Sequence, residues 1–179
     1  IAREYDAPEP GFGLPFFNDG NTDWSQGPVD FMDESKHHAM NATLDEDGHV
    51  WMADMFNITR TVVRYDWRTG HATNFVLSEE PEDAPANSHD IIRDADGVVW
   101  FDMSNIGALG RINPRTGQSS IIRPPEGSRV GPWIGDDGLG GIWTAGAIND
   151  IKAMRYDTAT REWVLFENPI PNASNYGMT

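Results

Sequence analysis

The chain predicts an all-β fold, a β-propeller section of about three complete four-stranded antiparallel blades with partial blades on either side. Three observations lead there. One block of sequence recurs every 43–49 residues, each copy places a tryptophan at the same point, and no 12-residue stretch carries helical periodicity. Units of this size, built of short strands with one large aromatic each, are the signature of propeller blades.

The repeat is read from two independent markers. "LDEDGHVWMAD" (Leu44–Asp54) returns as "RDADGVVWFDM" (Arg93–Met103) and more loosely as "DDGLGGIWTAG" (Asp136–Gly146). "RYDWRTG" (Arg64–Gly70) returns as "RINPRTG" (Arg111–Gly117) and "RYDTATR" (Arg155–Arg161). Trp51, Trp100 and Trp143 stand 49 and 43 residues apart, and Arg64, Arg111 and Arg155 stand 47 and 44 apart. Both markers keep one period and one order, which chance does not explain.

Within each unit the first strand is half-polar (Asn41–Asp45, Asp90–Asp94, Trp133–Asp136). An acidic-Gly turn follows, and Asp-Gly between apolar runs marks a hairpin because glycine reaches positive φ cheaply. The second strand centres on the tryptophan, which is expected to wedge between neighbouring blades. A loop with Asn57, Asn105 or Asn149 leads to the third strand, "VVRYD", "LGRIN" or "AMRYD". A Thr-Gly-type turn then gives the fourth, "ATNFVL", "SSIIR" or "EWVLF". The recurring arginines are explained by ion pairs with carboxylates of the blade turns.

This frame divides one propeller domain. Residues 4–10 match 165–171 in pattern, and 1–10 read as the last strand of a preceding blade. Residues 36–87, 88–129 and 130–171 are blades, and 172–179 begin the next. Three blades do not close a ring, so the segment reads as part of a longer protein whose remaining blades are its first partners. Residues 11–35 break the period with Phe12, Phe16, Phe17, Trp24 and Phe31 among five acidic side chains. Insertions of this length serve as binding loops or as covers for a blade edge.

Composition removes several functions. A net charge of −15 argues against nucleic acid, whose phosphates need surplus Lys and Arg, and against anionic lipid. No apolar run reaches the roughly 18 residues of a membrane-spanning helix. Zero cysteines exclude disulfides, thiolate metal sites and a cysteine nucleophile.

"DADGVVWFDMSNIGALGRINPRTGQSSIIRPP" (Asp94–Pro125) resembles the virginiamycin B lyase (streptogramin lyase) family, and the likeness extends over three repeats from Lys36 to Pro171. The resemblance implies a seven-bladed propeller, periplasmic or secreted. It further implies a lyase that opens a cyclic depsipeptide by elimination at the ester, with a histidine base, a Glu-x-His pair and magnesium. That chemistry is coherent, because a carbon acid beside a carbonyl needs a base of near-neutral pKa and a cation on the developing enolate. The family's glutamate would fall at Asp54, Met103 and Gly146, so no blade here offers Glu-x-His. Asp54 alone keeps a carboxylate in register, with Asp102 one position earlier.

Two functions are therefore carried forward. In the first, a lyase-like or lactonase-like enzyme acts on a small cyclic ester at the axial mouth. His38 and His89, at the start of two adjacent first strands, are its candidate bases. Asp54 and Asp102 are candidate oxygen ligands for Mg2+ or Ca2+, which favour such donors. Asp90, Asn57, Asn105 and Trp24 are the candidate substrate contacts, although turn chemistry also accounts for the asparagines. In the second, a non-catalytic propeller binds a protein or polysaccharide through its acidic face and aromatic insertion. The acidic turns at Asp45, Asp94 and Asp136 repeat at one hairpin and read as turns, not calcium loops.

Overall fold

The computed structural model describes residues 2–6, 39–54, 61–77, 86–146 and 152–167, with the backbone alone at 2–6, 39–40 and 54. The insertion at 11–35 with Trp24, together with His38, Asn57, Asn149 and residues 172–179, lies outside these residues, as does the side chain of Asp54.

Three antiparallel sheets are present, and no helix occurs among the described residues. The first holds β2 (Ala39–Leu44), β3 (Val50–Asp54), β4 (Val62–Asp66) and β5 (His71–Leu77). The second holds β6 (Ile91–Arg93), β7 (Val99–Met103), β8 (Ala108–Ile112) and β9 (Ser119–Ile122). The third holds β10 (Val130–Asp136), β11 (Gly141–Gly146), β12 (Ala153–Asp157) and β13 (Trp163–Phe166). These four strands run in sequence order in each sheet, strand beside strand, as in a propeller blade. The first strands β2, β6 and β10 are neighbours across the sheets and form the inner lining.

One expected placement is corrected. β1 (Ala2–Asp6) does not belong to a separate preceding blade; it adds to the outer edge of the first sheet, antiparallel to β5, from Ala2 opposite Leu77 to Asp6 opposite Thr73. An outermost strand leaves a row of backbone N–H and C=O groups open, and an extended segment of last-strand sequence satisfies them. Sequence pattern identifies such a strand but not the edge it joins.

Two of the three tryptophans act as wedges, as their period predicts. Trp51 is fully buried between the first and second blades, among Phe75, Ile91 and Phe101. Trp100 is 1% exposed between the second and third, among Ile134, Ile142 and Tyr156. Trp143, at the outer face of the third blade, is half-buried and stacks on Phe166 at 5.1 Å. Alternate residues point the other way, so Val99, Phe101 and Met103 of β7 pack back toward the first blade.

Each indole is held by a carboxylate six residues earlier. Trp51 Nε1 donates to Asp45 at 2.9 Å, Trp100 Nε1 to Asp94 at 2.7 Å, and Trp143 Nε1 to Asp137 at 3.0 Å. The other oxygen of each aspartate accepts two backbone amides of the turn, two and four residues on, at 2.8–3.0 Å. In the third blade the clasp is therefore made by Asp137, not by the Asp136 that heads its acidic turn in sequence.

The recurring arginine faces the tryptophan directly across the sheet in all three blades. Arg155 makes the expected ion pairs with turn carboxylates, at 2.7 Å to Asp137 and 3.0 Å to Asp157. Arg64 and Arg111 lie over the indole faces at 5.9 and 5.8 Å and reach the hydroxyls of Thr73 and Ser120. In the third blade Gly141 leaves the space through which Arg155 meets Asp137; a Cβ there would overlap both groups.

The residue after the tryptophan and the residue before the arginine form a second facing set, with compensating sizes. The second blade pairs Phe101 with Gly110, where a Cβ would overlap the phenyl ring. The first pairs Met52 with Val63. Gly110→Ala is expected to cost about 1–3 kcal/mol, the usual range for overpacking a filled core. Adding Phe101→Met should recover most of that loss in a denaturant-melting double-mutant cycle, because it restores the large–small balance of the first blade. Full additivity of the two changes would contradict the pairing.

Candidate functional site

The loop ends of the inner strands form the candidate site. At this end β2, β6 and β10 are irregular. β2 has a register shift between Ala39 and Ala42, β10 has one between Val130 and Ile134, and residues 86–90 run outside any strand before β6. Such breaks re-aim side chains at sheet ends.

Asp90 sits at the centre and joins three blades. One oxygen accepts the Asn41 side-chain amide of the first blade and the Ile91 backbone amide, and the other accepts Ile134 N of the third at 3.0 Å. It is 4% exposed. A candidate substrate contact in sequence, Asp90 in the fold is a tie between neighbouring first strands. Sequence could not show this, because its partners lie 49 and 44 residues away on other blades.

Asp102, near the end of β7, is fully buried. One oxygen accepts the backbone amides of His89 at 2.8 Å and Asp90 at 2.6 Å, and the other accepts the Ser104 hydroxyl. Burial pushes its carboxyl up to about 6, against the opposing pull of Ser104, of the Asp90 and His89 amides and of the nearby His89 ring. With both oxygens spent inside a dry site, Asp102 does not fit a calcium or magnesium ligand; it fixes the loop that carries His89.

His89 is the residue this scaffold presents. Its ring stands edge-on to Trp133 of β10, centroids 4.5 Å apart at 76°. Its Nδ1 is buried with no hydrogen-bond partner among the described residues. Trp133 was not singled out by the repeat, since it lies outside the periodic tryptophan set; an aromatic in an otherwise half-polar first strand was the available signal. Asn105 is exposed and forms a reciprocal pair with Asn87, each backbone amide donating to the other's side-chain oxygen at 3.1 and 3.2 Å. That is turn chemistry joining two loops of one blade.

Asp45, Asp47 and His49 bring potential ligand atoms within 4.8 Å of one another at the opposite end of the first blade. Asp45 is committed there to the clasp, accepting His49 Nδ1 at 2.9 Å as well as Trp51. Burial works to raise its carboxyl, but the bonds from Trp51 and His49 prevail and hold it below the ordinary range. The group is a capped turn, as its repetition in sequence implies.

No protein-family model and no curated protein sequence matches the chain. Solved structures do. The chain is similar to a catalytically inactive virginiamycin B lyase from Staphylococcus aureus with quinupristin, at 25% identity and TM-score 0.58, over 78% of this chain and 44% of that one. It is similar to a streptogramin B lyase at 22% identity and TM-score 0.61, over 85% and 47%. It is also similar to a gluconolactonase from Xanthomonas campestris at 12% identity and TM-score 0.58, over 82% and 54%. The chain thus spans about half the length of these proteins, and its fold is a streptogramin-lyase-like β-propeller. No helix among the described residues is long and apolar enough to cross a membrane.

Two outcomes are expected at this site. Asp90→Asn keeps the shape but puts an NH2 in place of one acceptor oxygen, facing either the Ile134 amide or the Asn41 and Ile91 donors, and should lower stability by about 2–3 kcal/mol in chemical denaturation. Asp102 binds its proton more tightly folded than unfolded, so its contribution to stability should fall as pH rises from the ordinary carboxylate value of 3.8 to about 6, then level off. A carboxyl NMR titration of Asp102 with its midpoint near 6 is the check. A midpoint near 4 would contradict the burial argument.

Proposed function

We propose that the chain is part of a propeller enzyme that opens a small cyclic ester at the axial mouth. The observation that carries this is His89, held at the inner lining with no hydrogen bond to its Nδ1 among the described residues. A base must keep a lone pair available, and an imidazole suits proton abstraction at neutral pH. In the elimination, the base takes the proton from the carbon beside a carbonyl. The released electron pair forms a carbon–carbon double bond, the carbon–oxygen bond breaks, and the ester oxygen leaves as a carboxylate. Trp133 supplies an aromatic wall on which the ring edge rests, and Asp102 positions the His89 backbone.

His38 belongs to the proposal as a second base, with Asn57, Asn105 and Trp24 as substrate contacts. Asp54, whose strand ends at the same end as β7, is the proposed oxygen ligand for Mg2+ or Ca2+; Asp102 is not. A periplasmic or secreted location, with further blades completing the ring, is part of the same reading.

A second reading is favoured by one observation. Asp90 and Asp102, two carboxylates expected at the mouth, are both spent on tying backbone together. A mouth built that way also suits a non-catalytic propeller that holds a protein or polysaccharide.

The test is ring opening of a cyclic depsipeptide ester by the full-length protein, followed by chromatography with magnesium and with chelator. His89→Ala is expected to lower the rate by about 10²–10⁴-fold, the usual contribution of a general base, without a change in thermal midpoint. An unchanged rate removes His89 from the mechanism. Ester binding without turnover by the wild-type protein selects the second reading.

A further inference from the structure

At the other end of the central blade, strand β7 away from His89, lies a cleft of about 370 Å³ lined by Val98, Arg111, Asn113, Gln118, Ser119 and Ser120. The three blades serve as internal controls for one another here, because the same arginine occurs at the same place in each. In the third blade Arg155 is neutralised by two carboxylates, Asp137 and Asp157. In the second blade the position of Asp157 is held by Asn113. Asp94, the counterpart of Asp137, is occupied by Trp100 and by the amides of Asp96 and Val98. Arg111 gives its Nε to the Ser120 hydroxyl at 2.8 Å and has no ion-pair partner among the described residues. It is half-buried, so its charge is partly withdrawn from water.

The rest of the lining is rich in donors. Asn113 Oδ1 is taken by the backbone amides of Arg115 at 2.9 Å and Thr116 at 3.2 Å, which leaves the NH2 as its remaining polar group. Gln118, Ser119 and Ser120 add an amide and two hydroxyls. The neighbouring Arg115 is not an alternative centre, since it pairs with Glu46 of the first blade. A planar guanidinium recognises a carboxylate through two parallel hydrogen bonds. Flanking amides and hydroxyls suit hydroxyl groups on the same ligand.

We propose that this cleft is a binding site for a small hydroxylated carboxylate, a sugar acid, with Arg111 as the anion-holding group. It is distinct from the mouth around His89 and does not depend on the reaction proposed there.

The full chain, isotopically labelled, should be titrated with glucuronate, with glucose as the neutral control, and followed by amide NMR. Glucuronate is expected to shift Gln118, Ser119 and Ser120 saturably at millimolar concentration, with glucose at least tenfold weaker. Asn113→Asp is the decisive variant. It installs the carboxylate of the third blade, where Asp157 holds the same turn through the amides of Ala159 and Thr160 at 3.0 and 2.8 Å. It should therefore fold normally and bind glucuronate at least tenfold more weakly, as should Arg111→Gln. Equal shifts with glucose, undiminished binding in Asn113→Asp, or no saturable shift at these residues would overturn the proposal.

Discussion

The bond between a turn aspartate and the indole six residues later is the constraint on which the rest of the structure depends. A buried indole N–H left without a partner costs about 1–3 kcal/mol, and a hairpin turn leaves amides that must also be satisfied. One carboxylate answers both needs: one oxygen holds the turn and the other holds the ring. The ring's position then follows. Fixed from its own blade, it projects as a rigid apolar plate onto the next, and the facing arginine covers it from the neighbouring strand. A turn, a wedge and an interblade seam are thus specified by residues within one short segment, and the fold survives repetition because that segment is self-contained.

Self-containment also explains what the sequence reveals. The period, the strand order and the wedge role of Trp51 and Trp100 are local patterns and can be read directly. The clasp was legible too, since aspartate precedes tryptophan by six residues in all three blades, but its bonds require the turn geometry. Asp90 was not legible. Its partners, Asn41 and Ile134, sit on neighbouring blades and leave no spacing rule behind. His89 could be placed at the head of a first strand, whereas its burial against Trp133 depends on an irregular β10 that no periodicity announces. β1 illustrates a third case, in which the type of strand is readable and its choice of edge is not.

The blades diverge in compensated sets, and the sets show which differences are structural. Around the clasp, His49, Val98 and Gly141 occupy one position. His49 gives Asp45 a second side-chain donor, and Gly141 opens the way for Arg155 to do the same for Asp137. Burial works against ionisation of Asp137, but bonding by Arg155 first, then by Leu139, Gly141 and Trp143, carries its carboxyl far below the ordinary range. That bonding favours the folded state above pH 3.8 and is lost as acid titrates the group. The opposite sign at Asp102 shows that two carboxylates in one small domain can answer acid in opposite ways.

Compensation fails in the central blade. Val98 brings no second donor to Asp94, and Asn113 brings no charge to Arg111, so a cation that is cancelled in the third blade persists in the second. At the other end of the same sheet, the carboxylates that could have faced the mouth are spent on backbone amides and on the Asn41 and Ser104 side chains, and the buried Nδ1 of His89 has no hydrogen-bond partner among the described residues. Both departures have one physical form: a polar group is held in place by its neighbours and keeps bonding capacity that the described residues do not use. Rigid, half-desolvated groups of this kind lose little entropy when a ligand arrives. A repeat whose other positions are balanced pair by pair therefore locates its chemistry where the balance is broken.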